Sequence, residues 1–184
     1  MIIVNASNRQ VSLDLRIKAI NEIIKIPNFN FNDLLISLLN DKDVYKEVAL
    51  VLSSFDHSFD LLLSCIQGFS DLSEIDGIAL FAYFTSYRLS SQVKFNSFFH
   101  PLIKLVISSQ INDSNLSFRF LITRVVTNIV DASLKSPSHF QILNFSCRLF
   151  YLLRCDPDSS IRLLVLEYID KLVLYYIQHH PQGF

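Results

Sequence analysis

Glycine is almost absent from this sequence, with three in 184 residues. So few leave no material for a glycine-rich phosphate loop or a dinucleotide fold, whose turns need positive φ and close approach of backbone to phosphate. Long apolar runs are missing too. Uncharged stretches such as Gly77 to Tyr87 and Leu61 to Ser70 fall well short of the roughly 20 apolar residues a bilayer-spanning helix needs. No membrane association is expected. Met1 to Val4 is apolar but too short, and without a basic flank, to read as a secretory signal. The three cysteines, Cys65, Cys147 and Cys155, are odd in number and have no CxxC spacing. They predict a reducing, nuclear or cytoplasmic setting and core packing rather than a disulfide framework.

Motifs of catalysis are missing as well. His57, His100, His139, His179 and His180 form no HExxH and no zinc-finger pairing with cysteine. No nucleophile stands beside a base in the sequence, and most of the grouped carboxylates (Asp41 with Asp43, Asp56 with Asp60, Asp71 with Glu74 and Asp76, Asp156 with Asp158) fall where helix starts are expected. There they cap free amides and offset the positive end of the helix dipole. The sequence therefore predicts a protein that is not an enzyme, with no catalytic residue, no metal ligand and no cofactor.

What is present is a strong helical periodicity. With 51% hydrophobic and 18% charged residues, the chain reads as one compact domain over 1–184. Alternating strand-like runs and Asn-Gly or Asp-Gly hairpin turns are scarce, while apolar residues recur every three to four positions, so the fold class is all-α. Two patterns interleave. The first places apolar residues at relative positions 0, 4 and 8: Leu15, Ala19, Ile23; Val44, Val48, Leu52; Ile75, Ala79, Tyr83; Phe118, Ile122, Val126; and Ile161, Val165, Ile169. Three residues before four of the starts stand Ser12, Asp41, Asn115 and Asp158, side chains suited to capping a helix N-terminus. The second opens on Phe31, Phe59, Phe99 and Phe140 and buries aliphatics one and two turns later, as in Leu34, Leu35, Leu38 and Leu39. Its copies fall between those of the first, so A-type and B-type helices alternate. Pro101 lies two residues after Phe99, so that B-type helix is expected to begin near His100, with Val93 to Phe98 as a separate turn or kinked extension.

Antiparallel helix pairs that cannot cover their own apolar faces do so by stacking, which is the physical content of an α-solenoid. The expected architecture has about nine helices in stacked A/B pairs. Asp156-Pro157-Asp158-Ser159-Ser160-Ile161-Arg162, followed by Val165, Ile169 and Leu172, resembles a HEAT repeat, as does Leu15-Arg16 followed by Ala19 and Ile23. The first two units are shorter than a usual HEAT or armadillo repeat, and the aspartate-arginine signature is missing from the second and third copies. A compact superhelical bundle, resembling VHS or CTD-interacting domains, is the alternative. The resemblance implies a scaffold or adaptor that presents surfaces to proteins, peptides or nucleic acid. It also implies that Arg119 and Arg162 pair with an aspartate of their own or a neighbouring unit.

Two surfaces stand out. Residues 1–87 carry a net charge of −5 and residues 88–184 a net charge of +4. Between 88 and 154, Arg88, Lys94, Lys104, Arg119, Arg124, Lys135, Arg148 and Arg154 face only Asp113 and Asp131. Gathered on one groove, they would attract an acidic peptide or, in the alternative reading, a nucleic-acid backbone followed by basic residues of 88–171. The last A-type helix, from Ile161 to Ile177, is apolar on nearly every bearing, and a single neighbour cannot bury all of it. Leu166, Tyr168, Leu174, Tyr175 and Tyr176 are therefore candidates for an interface with another subunit or a second copy of the chain. The functional expectation is a protein-protein interaction scaffold, an adaptor subunit of a larger complex or a homodimer joined at its C-terminal end.

Overall fold

The computed structural model describes residues 2–23, 25–26, 32–68, 75–88, 102–109, 115–135 and 140–179. All regular structure among them is helical. The helices are α1 (Ile2–Ser7), α2 (Leu13–Ile23), α3 (Asn32–Leu38), α4 (Tyr45–Ser54), α5 (Ser58–Gly68), α6 (Asp76–Ser86), α7 (102–109), α8 (Leu116–Leu134), α9 (Phe140–Leu153) and α10 (Ser159–His179). The A-type segments are α2, α4, α6, α8 and α10, and the B-type segments α3, α5, α7 and α9. The short α1 is additional to the pattern. Phe31, Phe99, His100, Pro101 and Lys94, and the turn expected over Val93 to Phe98, lie outside the described residues.

Two compact units divide the chain, Met1–Thr85 and Ser86–Phe184. In the first, α2 packs against α1 and α4, and α4 in turn against α3 and α5. Its centre follows the 0, 4, 8 template: Val44, Val48 and Leu52 are fully buried. At α2 the template holds at Ala19 and Ile23 but fails at its first position. Leu15 is exposed and Arg16 is buried in its stead. The reason is polar, since the Arg16 guanidinium is claimed from two sides. Nε donates to the Ala6 carbonyl at 3.2 Å and Nη2 to Asp41 Oδ2 at 2.7 Å. Asp43 stands 3.6 Å from Nη1, and Arg9 Nε also reaches Asp41 Oδ2 at 3.3 Å.

Asp41 does not cap α4 as its position suggests. Its other oxygen accepts from the Asp43 amide at 3.1 Å, which turns the chain, and α4 begins later with Val44 at the N-cap and no side-chain cap. A second close approach closes the unit. Gly77, near the start of α6, lies so near the end of α3 that a Cβ there would stand 2.1 Å from the Leu39 carbonyl oxygen. Only glycine permits that contact.

In the second unit, α8, α9 and α10 pack on one another. Asn115 caps α8 as expected, its side chain accepting from the Phe118 amide at 3.0 Å. α8 is buried around most of its girth, with Phe118, Ile122, Val125, Val126, Ile129 and Val130 all fully covered. Its hydroxyls turn back onto the helix: Thr123 donates to the Arg119 carbonyl and Ser133 to that of Ile129, so burial leaves them satisfied. Arg119 repeats the device of Arg16. It is 3% exposed and its Nε donates to Asp156 Oδ2 at 3.0 Å, while Asp156 Oδ1 accepts from the Asp158 amide at 2.9 Å. Each unit thus holds a buried arginine on one A-type helix, paired with an aspartate in the turn before the next A-type helix packed beside it.

Candidate functional site

Among the described residues, exposed large apolar side chains are most numerous on α10. Its start is tightly specified. Asp158 Oδ1 accepts from the Ser160 amide at 2.8 Å and from the Ile161 amide at 3.4 Å, with the Ser160 hydroxyl on the same oxygen. Those contacts, the Ser160 side chain first, hold the Asp158 carboxyl below its ordinary value. Arg162 Nη1 donates to the carbonyls of Asp156 and Pro157, each at 2.7 Å. The preceding turn is thereby fastened onto the helix it opens.

From there one side of α10 enters the core. Ile161, Leu164, Val165, Tyr168 and Leu172 are buried against α8 and α9. The Tyr168 hydroxyl donates to Asp131 Oδ2 on α8, and its ring meets that of Phe150 on α9 at 6.0 Å. Lys171 Nζ stands 3.9 Å from the centroid of the Tyr168 ring and 3.8 Å from Asp131 Oδ1. Burial, then the Asp131 carboxylate, push the Tyr168 phenol above its usual range. These contacts fix the rotation of α10 about its own axis.

With that rotation fixed, a second apolar stripe points away from the core. Leu163 is 67% exposed, Leu174 58%, Leu166 53%, Ile177 50% and Val173 43%. At 100° per residue these side chains, with Asp170 among them, fall within an arc opposite the one containing Ile161, Leu164, Val165, Tyr168 and Leu172.

Leu166 and Leu174 thus belong to the outward stripe. Tyr168 does not, being 5% exposed and engaged with Asp131. Tyr175 and Tyr176 are half-buried, Tyr175 on the bearing of the inward arc and Tyr176 just beyond its edge. The Tyr175 ring stacks on His179 at 4.1 Å and meets Tyr176 edge-on, and burial raises the Tyr176 phenol. Leu163, Val173 and Ile177 were not singled out from the sequence. Their three- and four-residue spacing from Leu166 was visible there, but nothing local says which of two apolar arcs a helix turns inward.

The basic residues are distributed differently. Arg119 is enclosed with Asp156 and contributes no surface charge. Arg88, Lys135, Arg148 and Arg154 are exposed, and Lys104 and Arg124 half-buried. The Arg154 guanidinium lies 3.7 Å from the centroid of the exposed Tyr151 ring, and that of Arg124 lies 5.4 Å from the Phe120 ring centroid.

Among the cysteines, Cys65 is enclosed in α5 and burial pushes its thiol up to about 12. Cys155 is exposed in the turn after α9 rather than in the core. Among the described residues no cluster of His, Cys, Asp and Glu is arranged to hold a metal, and no helix is long and apolar enough to cross a membrane. In the first unit a cavity of about 300 Å³ lies among Leu39, Asn40, Lys42, Tyr45, Asp76 and Gly77. Compared with family models, curated proteins and solved structures, the chain matches none.

Proposed function

We propose that this chain is a non-enzymatic, HEAT-like helical scaffold, an adaptor subunit that holds a protein partner against the outward face of α10. The observation that carries the reading is the apolar stripe itself. Leu163, Leu166, Val173, Leu174 and Ile177 are exposed together on one side of a helix whose opposite side is pinned into the core. Contiguous exposed aliphatic surface of this kind marks interaction sites in folded proteins. The solenoid reading is supported by the recurrence of a buried arginine-aspartate pair between successive A-type helices, Arg16 with Asp41 and Arg119 with Asp156. A rigid core of this type binds by shape and presents its surfaces without moving.

We further propose an acidic-peptide surface that draws on the exposed Arg88, Lys135, Arg148 and Arg154 and the half-buried Lys104 and Arg124. Arg119 drops out of it because its charge is spent on Asp156. The same loss weakens the nucleic-acid alternative, which needs every phosphate contact it can collect.

The test compares wild-type chain with Leu166→Lys/Leu174→Lys, both purified with their native companions. Expected is a stoichiometric protein partner retained by the wild type and lost from the variant, whose helical content and melting temperature match the wild type. A partner retained by both would remove α10 from the reading.

A further inference from the structure

We infer that the occupant of the α10 face is an amphipathic helix of another protein, carrying a lysine or arginine at the middle of its own apolar seam; this rests on the docking reading above. The seam on α10 runs Leu163, Leu166, Asp170, Val173, Ile177, with steps of three, four, three and four residues. That is the spacing by which one helix packs lengthwise on another. It extends over about 21 Å at 1.5 Å per residue. Leucine, valine and isoleucine occupy both ends, and the centre is Asp170.

Asp170 is exposed, and no ion pair reaches it among the described residues. Its neighbours are committed elsewhere: Lys171 turns to Glu167 at 3.6 Å and to Asp131 at 3.8 Å. A helix laid along the seam takes Asp170 out of water, and a carboxylate so covered needs a cation opposite it.

The same residue argues against a second copy of the chain. Antiparallel pairing about the centre of the seam sets Leu163 against Ile177 and Leu166 against Val173, but it also sets Asp170 against Asp170. Parallel pairing in register does the same. Either arrangement buries two like charges face to face, and a shifted register leaves half the seam uncovered. A heterologous helix with apolar residues at both ends and a central cation satisfies every position.

The experiment measures binding of the full chain, by fluorescence anisotropy, to three labelled synthetic peptides of about 18 residues, long enough for the four to five turns of the seam. They share one leucine seam and differ only at its central position: arginine, serine or glutamate. The arginine peptide is expected to bind about tenfold more tightly than the glutamate peptide. Asp170→Asn should level the three, and Asp170→Arg should reverse their order. A ranking unchanged by either variant overturns the central-charge inference and leaves the docking reading standing. Equal binding by wild type and Leu166→Lys/Leu174→Lys, or no binding of any peptide at about 100 µM, a weak affinity for such a contact, overturns the docking reading as well. Sedimentation supplies the last arm, since a wild-type dimer dispersed by Leu166→Lys would make the occupant a second copy and refute the proposal.

Discussion

Arg16 and Arg119 are 2% and 3% exposed, a placement an arginine tolerates only when its charge is met. Both are met by an aspartate that also turns the backbone through the amide two residues on. One carboxylate oxygen serves the turn and the other serves the guanidinium. At Asp41 burial pushes the carboxyl upward, but the Arg16 hydrogen bond, the Asp43 amide and the charges of Arg16 and Arg9 outweigh it, and the group titrates below its ordinary value. A carboxylate with a depressed folded-state pKa contributes stability that is present above its unfolded value of about 4 and is lost as pH falls through the folded value. Asp41→Asn is therefore expected to lower stability by about 3 kcal/mol at neutral pH, chiefly by removing the buried counter-charge of Arg16 and leaving it only the exposed Asp43 at 3.6 Å. In urea titrations the gap between wild type and variant should hold from pH 7 to about 5 and close below about 4. A gap that stays constant into acid would assign the loss to packing alone.

Among the helices, α6 and α10 illustrate two opposite uses of sequence. α6 enters its unit through Gly77, pressed on the Leu39 carbonyl. Gly77→Ala would improve helix propensity by about 1 kcal/mol and still destabilise the protein, because the methyl group has no room. A net loss of about 1–3 kcal/mol in chemical denaturation is expected, and a gain would show that α6 can shift away from α3. α10 is apolar on two sides, one buried and one exposed. Leu164→Ala, on the inward side, should cost about 2–4 kcal/mol through the cavity it leaves. Leu166→Ser, less than a turn away on the outward side, should change stability by no more than about 0.5 kcal/mol. Similar losses at both positions would mean that the outward side is covered within the folded chain.

The molecule as a whole divides its contacts between two units, each with a helix that touches several others. α4 is enclosed by α2, α3 and α5, and α8 by α9 and α10. Amide exchange reports this directly, since protection follows buried contacts. The slowest exchange is expected at Val48 to Leu52 and Ile122 to Val130, and the fastest at α1, whose 6 residues are too few for a helix to persist alone. Slow exchange confined to one unit would show that the other opens independently. In the second unit the inward side of α10 is used up in packing, while Leu163, Leu166, Val173, Leu174 and Ile177 stay exposed.

The amino-acid order alone settled the helical class and several helix starts. Those features depend on a 3.6-residue period and on caps such as Asn115 and Asp158, all within one or two turns of chain. It also marked α10 as too apolar for a single neighbour, and named Leu166 and Leu174. It placed Tyr168 on the same surface, where folding instead turns the ring inward toward Asp131. Folding also drew Arg119 out of the basic set. These outcomes join residues 25 to 38 positions apart: Arg16 to Asp41, Arg119 to Asp156, Tyr168 to Asp131, Leu39 to Gly77. Periodicity reports how apolar a bearing of a helix is, whereas the side that turns inward depends on which neighbour packs there, and that neighbour is distant in the chain.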